Sequence, residues 1–290
     1  MKRDNRYGIK SLEHQFPTED VCLEFLFDAQ HSRECECGGT YRRVKGRKQF
    51  QCSKCRFQIA PTAGTIFHKS DTPLTLWFKA ILTFSNAKSG ISAKEMERQI
   101  EVTYKTAWRI LMLIRKALKA KGDKLSGTVE VDAAYFGGVY KSGAYNKDQK
   151  KAIAAKSVVI GAVERGGRAR AKVVPDASAF AHRIFLKGNV EPMGTKLMTD
   201  KSQVFTNAAK PYYRQSVDHH KGEYVRGEVY TNTIEAFWSH VKRSIKGTHK
   251  MVSKQHLQEY LDGFAFHWSN RYSDKERFGV LLGTLLQPVR

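Results

Sequence analysis

No run of apolar residues in this 290-residue chain is long enough to cross a membrane. A span needs about 18 consecutive apolar residues, and the longest apolar stretch, Leu74–Phe84, is broken by Lys79. The amino-terminal MKRDNRYGIK is charged and has no apolar core behind it, so no secretory signal is visible and a cytoplasmic protein is expected. Cysteine is scarce, with five residues, too few for a disulfide scaffold. Four of them crowd between Cys35 and Cys55, which favours a metal site in a reducing compartment. Acidic residues are also short: 28 Asp+Glu face 50 Lys+Arg, leaving a net charge of +22. That excess makes a polyanion the expected partner. Nucleic acid comes before a membrane surface, because no amphipathic basic helix with a lipid-facing side is visible. With 41% hydrophobic and 11% aromatic residues, the chain can build a core and is not a disordered one.

There is no internal repeat or low-complexity tract. Three blocks are visible. Residues 1–70 hold the cysteines and the basic run YRRVKGRK, which offers Arg42, Arg43, Lys45, Arg47 and Lys48 to a polyanion. Residues 71–122 read as helices. Residues 123–290 alternate strand-like and helix-like segments, with KGDK at 121–124 as the boundary. TVEVDAAYF (128–136) reads as a strand, and SVVIGAVE followed by Gly166-Gly167 and ARAKVVPD reads as a hairpin. KLMT is a short strand ending at Asp200, and segments 232–247 and 253–272 have helical spacing. The Lys-rich stretch 141–156 reads as an exposed loop. An α+β or mixed-sheet domain follows.

Cys52-x-x-Cys55 is a zinc-knuckle half-site, and Cys35 and Cys37 lie 15 positions upstream of it, counted from Cys37 to Cys52. The upstream pair is one residue shorter than the usual spacing, with Glu34 where the first ligand would stand. Either Cys35 reaches the metal through a distorted knuckle or His31 replaces it. Four protein ligands leave no open position, so one structural Zn²⁺ is expected. In the second block, Ser92 and Glu95 form a capping box for a short helix, 92–99, and Thr103 caps a second, about 104–119. The pair matches a helix-turn-helix, or else an ordinary helical hairpin with a solvated basic face. In the first case Tyr104, Lys105, Thr106 and Arg109 face outward, where a recognition helix meets base edges.

Asp132 sits in the strand-like VEVD, Asp200 ends KLMTD, and Glu235 lies on the helical NTIEAFWSHVK. Brought together, two strand-end aspartates and one helix glutamate can hold two Mg²⁺ and act on a phosphodiester. Lys242 falls two helical turns after Glu235 and can reach a phosphate beside them, and Asn232 shares that face one turn earlier.

The motifs VEVD-x-x-YFGG, MTD and TNTIEAFWSHVKR, in that order, resemble bacterial insertion-sequence transposases of the DDE class, in the Merlin-like group. The resemblance runs from about Asp20 to Phe278. It implies a zinc ribbon, a helix-turn-helix and a ribonuclease-H-like catalytic domain with three antiparallel strands, then parallel ones, flanked by helices. It implies Asp132, Asp200 and Glu235 as the catalytic triad holding two Mg²⁺ or Mn²⁺, with Lys242 as the basic companion and His219 either touching the scissile phosphate or supporting the fold. Double-stranded DNA, both terminal inverted repeats and target, is the implied partner. A homodimer or larger synaptic complex associated with the nucleoid follows, with no membrane and no small-molecule substrate. The sequence departs from the family at Ala133, where Glu is usual, and at Tyr230, where His is usual. Two other readings use the same features: a repurposed transposase that only binds DNA, and a ribonuclease-H-like nuclease that cuts branched DNA without joining it.

Overall fold

The computed structural model describes residues 6–119, 122–137 and 156–287. Gly138 of the YFGG motif and positions 141–155 of the expected loop lie outside the described residues. Two compact units are present. Described residues up to Leu118 and from Arg271 onward form one, and those from Lys119 to Asn270 form the other.

The first unit opens with α1 (Ile9–Gln15) and α2 (Glu19–Asp28), neither evident from the sequence pattern. A three-stranded antiparallel meander follows: β1 (Tyr41–Arg43), β2 (Phe50–Cys52) and β3 (Gln58–Ile59). Contact of the Phe27 ring with the tilted ring of Phe50, centroids 4.1 Å apart, fastens α2 to this small sheet. Then come α3 (Leu74–Asn86), α4 (Ala93–Ile100) and α5 (Tyr104–Ala117). Trp77, Phe78, Ile81, Leu82 and Phe84 of α3 are all buried, so this helix is the unit's core, apolar on most of its circumference.

The helix pair has its expected boundaries. Ser92 Oγ accepts from the Glu95 N–H and Thr103 Oγ1 from the Thr106 N–H. Between them Glu101 takes a left-handed conformation, with φ 54°, that turns the chain. Only half of the capping box forms, because the Glu95 carboxylate bonds Arg98 and Gln99 instead of reaching back.

The second unit is a five-stranded mixed sheet. Its strands are β4 (Thr128–Phe136), β5 (Ser157–Glu164), β6 (Ala169–Val174), β7 (Lys196–Asp200) and β8 (Tyr213–Val217), in the order β6-β5-β4-β7-β8. β4, β5 and β6 are antiparallel neighbours, and β7 and β8 run parallel to β4. This is the ribonuclease-H-like arrangement. Helices α6 (Ala179–Asn189) and α7 (Val204–Ala208) precede and follow β7. A two-stranded hairpin, β9 (Val225–Arg226) and β10 (Val229–Tyr230), leads into α8 (Asn232–Ser244) and α9 (Leu257–Ser269). Alternation along β4 sorts its side chains: Val129 and Val131 join the core on the side of Phe185 and Leu186, while Ala134 and Phe136 join the core with Ile234, Phe237 and Trp238. Gly161, opposite Asp132 in the β4–β5 register, has no room for a side chain, because a Cβ there would lie 2.4 Å from the Trp238 ring. The missing methyl lets α8 lie close on the sheet.

The last helix, α10 (Asp274–Leu285), packs within the first unit, where Phe278 stacks on Tyr7 at 5.0 Å. No helix of the described residues is long and apolar enough to cross a membrane.

Candidate active site and metal cluster

β4 pairs with β7 in parallel, Glu130 opposite Met198, and two residues further along each strand stand Asp132 and Asp200. Asp132 is largely buried. Burial pushes its carboxyl up to about 6, and the charges of Asp200 and Glu235 push the same way. The Ala133 N–H holds it partly back. The three acids therefore share one electrostatic neighbourhood although they come from three elements.

Each acid is held in place. The Ser202 N–H donates to Asp200 Oδ1 at 3.1 Å. Arg214 of β8 donates to the Thr199 hydroxyl at 2.8 Å and to the Asp200 carbonyl at 2.9 Å, fixing the strand end. Glu235, in the first turn of α8, accepts the Thr231 hydroxyl at 2.9 Å. His219 Nε2 lies 3.9 Å from the same carboxylate oxygen and 3.3 Å from Thr231 Oγ1, with Tyr224 edge-on against its ring. His219 is thus brought to Glu235, Asn232 begins the same helix, and Lys242 is exposed two turns further on.

Two residues at this site escaped the sequence reading. His182 of α6 is 2% exposed, its Nδ1–H donates to the Ser178 carbonyl at 2.9 Å, and its ring packs edge-on against Phe205. Burial lowers its pKa, against the opposing pull of the Asp200 and Asp176 charges. No periodic signal marked its helix. The second is Glu130. Its carboxylate, fully buried, accepts the N–H groups of Thr233 and Ile234 at 2.7 and 2.9 Å and the Thr233 hydroxyl at 2.8 Å. Arg165 donates to it at 2.7 Å, reaches the carbonyls of Glu228 and Tyr230, and lies 3.5 Å above the Tyr230 ring. Glu130 caps α8 from another element, placing a negative charge at the positive end of the helix dipole. The strand bearing Asp132 is thereby bolted to the helix bearing Glu235. The signal was available in VEVD, whose period of two sets Glu130 and Asp132 on one face.

In the first unit, the Cys35–Cys55 and Cys37–Cys52 sulfur pairs are 3.7 and 3.5 Å apart, and all four sulfurs lie within 4.8 Å. Tetrahedral zinc with Zn–S bonds of about 2.3 Å separates its sulfurs by about 3.8 Å. The four cysteines fit a small zinc ribbon. The shortened Cys35-x-Cys37 pair reaches the cluster through a tight turn: the Cys35 N–H donates to the Gly39 carbonyl and the Gly38 N–H to the Cys35 carbonyl, both at 2.8 Å. Gly38 takes a φ of 74°, and a Cβ on Gly39 would lie 2.5 Å from Cys52 Sγ. His31 instead packs on Phe27, outside the cluster. The fifth cysteine, Cys22, is a buried free thiol.

The basic residues fall into two groups. Arg42, Lys45, Arg47 and Lys48 are exposed on the β1–β2 hairpin. Arg43 is engaged within the unit, donating to the carbonyls of Val44 and Gln49 and pairing with Asp20 at 3.1 Å. On α5, Tyr104, Lys105 and Arg109 are exposed and Thr106 half-buried, while Ala107, Ile110 and Ile114 are buried.

Residues 124–269 match a family model described as the ISXO2-like transposase domain, an interval that takes in Asp132, Asp200 and Glu235 and spans half of the chain. A protein of Halobacterium salinarum, described as an uncharacterized protein in transposable element ISH50, is 29% identical over 267 residues, covering 86% of this chain and 87% of that protein. By that match, and with the sheet order that carries it, the chain belongs to the ISXO2-like transposase family.

Proposed function

We propose that the protein binds the terminal inverted repeats of an insertion sequence, cleaves the DNA at the element ends and joins the freed ends to target DNA. The observation that carries this reading is the shared neighbourhood of Asp132 in the middle of β4, Asp200 at the end of β7 and Glu235 on α8, with β4 and α8 fastened together by Glu130. Those three acids would hold two Mg²⁺ or Mn²⁺, and such a pair, when bound, supplies an activated nucleophile and stabilisation of the leaving oxygen. Asp132 and Asp200 fix one side of the site from adjoining strands. Glu235 closes it from the helix, oriented by Thr231 and His219. Lys242 holds a phosphate of the cleaved strand. Hydrolysis frees a 3′-hydroxyl, which attacks the target phosphodiester in line, with no covalent enzyme intermediate. End recognition falls to α5, through Tyr104, Lys105, Thr106 and Arg109, and to Arg42, Lys45, Arg47 and Lys48 of the ribbon. Two ends joined in one event call for a homodimer or larger synaptic complex.

Glu235→Ala is expected to lower cleavage of a duplex carrying the element's end on the order of 10³-fold. Binding of the same duplex, followed by fluorescence anisotropy, stays within about twofold, since no base-reading contact is lost. Persistent cleavage by the variant removes the triad. Cleavage by the wild type without joining turns the reading to a structure-specific nuclease.

The ribbon carries a separate prediction. Elemental analysis of the purified chain is expected to find one zinc per molecule, and Cys37→Ser to lose it. The ribbon's small sheet has little core of its own, so metal binding supplies its folding free energy. End-duplex affinity then falls at least tenfold. Full affinity in zinc-free protein removes the ribbon from DNA recognition.

A further inference from the structure

The two faces of the ribbon sheet carry different side chains. Phe27 of α2 meets Phe50 and Tyr41, with ring centroids 4.1 and 5.7 Å apart, and Asp20 of the same helix pairs with Arg43. By alternation along β1 and β2 those strand residues share one face, and α2 covers it. Register sets the other face. Arg42 of β1 stands opposite Gln51 of β2, and Gln51 opposite Gln58 of β3. Residues directly opposite on neighbouring strands point the same way, so these three form one row across the sheet. Their exposure agrees: Arg42 and Gln58 are exposed and Gln51 half-buried, whereas Tyr41, Phe50 and Cys52 are buried.

The row presents hydrogen-bonding forks to solvent. Neither the Arg42 guanidinium nor the Gln58 amide has a partner among the described residues. Gln51 Nε2 donates to the Arg56 carbonyl at 3.2 Å, which ties the middle of the row to the turn between β2 and β3. Charge around the row has one sign. Between Cys37 and Ser70 there are eight Lys and Arg and no Asp or Glu. Three of them, Lys45, Arg47 and Lys48, are exposed on the turn that joins β1 to β2. Glu34 stands opposite Thr40, just before β1, and forms no ion pair with Arg42 among the described residues.

This chemistry suits one occupant. Lys and Arg on the turn meet phosphates, which position a protein on DNA without reading its sequence. The planar forks of Arg and Gln match base edges: Arg bonds O6 and N7 of guanine, and Gln bonds N6 and N7 of adenine. Those edges lie in the major groove, about 12 Å wide. Two strand spacings of about 4.8 Å set Arg42 and Gln58 about 10 Å apart, which fits that width. We propose that the uncovered face of the ribbon sheet enters the major groove of duplex DNA, where Arg42 reads a guanine and Gln58 an adenine while Lys45, Arg47 and Lys48 hold flanking phosphates. The two bases then lie within about three steps of 3.4 Å of one another. This deepens the proposed function, on which it rests for the DNA, by separating the ribbon residues that read sequence from those that anchor.

The test is selection of bound duplexes from a randomised library by the full zinc-loaded chain, then anisotropy titration of the preferred duplex and of copies with single base-pair changes. The wild type is expected to fix a guanine and an adenine within about three steps, and changing either is expected to cost at least about fivefold. Arg42→Gln should lose the guanine preference alone, and Gln58→Ala the adenine preference alone. Gln58→Glu should exchange adenine for cytosine, whose N4 amine donates to a carboxylate. An exchanged preference cannot come from a misfolded ribbon. Lys45→Ala/Lys48→Ala should weaken every duplex by one factor and flatten the log–log salt slope by about 1.8, the loss of two duplex phosphate contacts. Wild-type base preferences in the Arg42 and Gln58 variants overturn the proposal, as does equal weakening of all duplexes by them or a wild type that prefers no sequence. Cleavage judges the transposase reading apart from these results. A chain whose preferences change as stated but that never cuts DNA fails that reading alone. One that cuts while the variants keep wild-type preferences fails the sheet face alone.

Discussion

Glu130→Ala is expected to destabilise the second unit by about 3–5 kcal/mol, the range for removing one partner from a buried ion pair. The substitution strips Arg165 of its carboxylate and leaves the Thr233 and Ile234 N–H groups facing an apolar gap. Both amides belong to the first turn of α8, as does Glu235, so the loss acts directly on the position of a proposed catalytic acid. Cleavage should fall with it, even though Glu130 touches no substrate in this reading. Glu130→Gln is expected to cost about 1–3 kcal/mol, because its carbonyl still accepts from the helix while its amide opposes Arg165. Amide hydrogen exchange separates this role from a general loss of stability. In the alanine variant the segment 232–236 should lose protection first, before the strands of the sheet. Combining Glu130→Leu with Arg165→Met should restore part of the stability lost by either change, since the pair is then removed together. Unchanged protection at 232–236 in the alanine variant sinks the capping role.

What was legible in the sequence was what depends on neighbours along the chain. Thr128–Phe136 and Ser157–Glu164 are the strands that β-branched enrichment had marked, and Gly166-Gly167 makes the hairpin turn that joins β5 to β6. Ser92 and Thr103 fixed two helix starts because capping is local. The motif spacing also pointed to Asp132, Asp200 and Glu235, and in the fold the charges of the last two act on the first. Contacts between distant segments were not legible. Glu130 looked like one more strand acid because its partners, Thr233 and Ile234, lie 103 and 104 residues away. Counting charge in YRRVKGRK could not separate Arg43, absorbed by Asp20 and two carbonyls, from its exposed neighbours. Nor could any local pattern send the helix Asp274–Leu285 back to the first unit, a placement made by contacts such as Phe278 on Tyr7.

Asp132→Asn is expected to make the protein more stable and inert. The Asp132 carboxyl ordinarily titrates near 3.8 and is pushed to about 6 in the fold, first by burial and then by Asp200 and Glu235. Between those two values the native state holds a proton that the unfolded chain has released, so stability falls as pH rises through the window and stays lowered above it. A displacement of about two pH units corresponds to about 3 kcal/mol. Asparagine cannot ionise, yet its carbonyl still accepts from the Ala133 N–H, so the variant keeps the contact and sheds the penalty. Urea unfolding should therefore show a gain approaching about 3 kcal/mol at about pH 7.5, shrinking towards zero near pH 4. Divalent ions should narrow the difference from the other side. Magnesium or manganese held by the three carboxylates, as proposed, would stabilise the wild type by RT ln(1 + c/Kd), c being the free ion concentration, and the asparagine variant, lacking one ligand, should gain little. Cleavage by the variant should fall on the order of 10³-fold while end binding persists. A residue that weakens the fold and carries the chemistry is the pattern expected where an active site is maintained against stability. An Asp132→Asn variant less stable than the wild type under those same mildly alkaline conditions would show instead that its neighbours already satisfy the ionised carboxylate, and that the crowding of three acids is not what this site is built to hold.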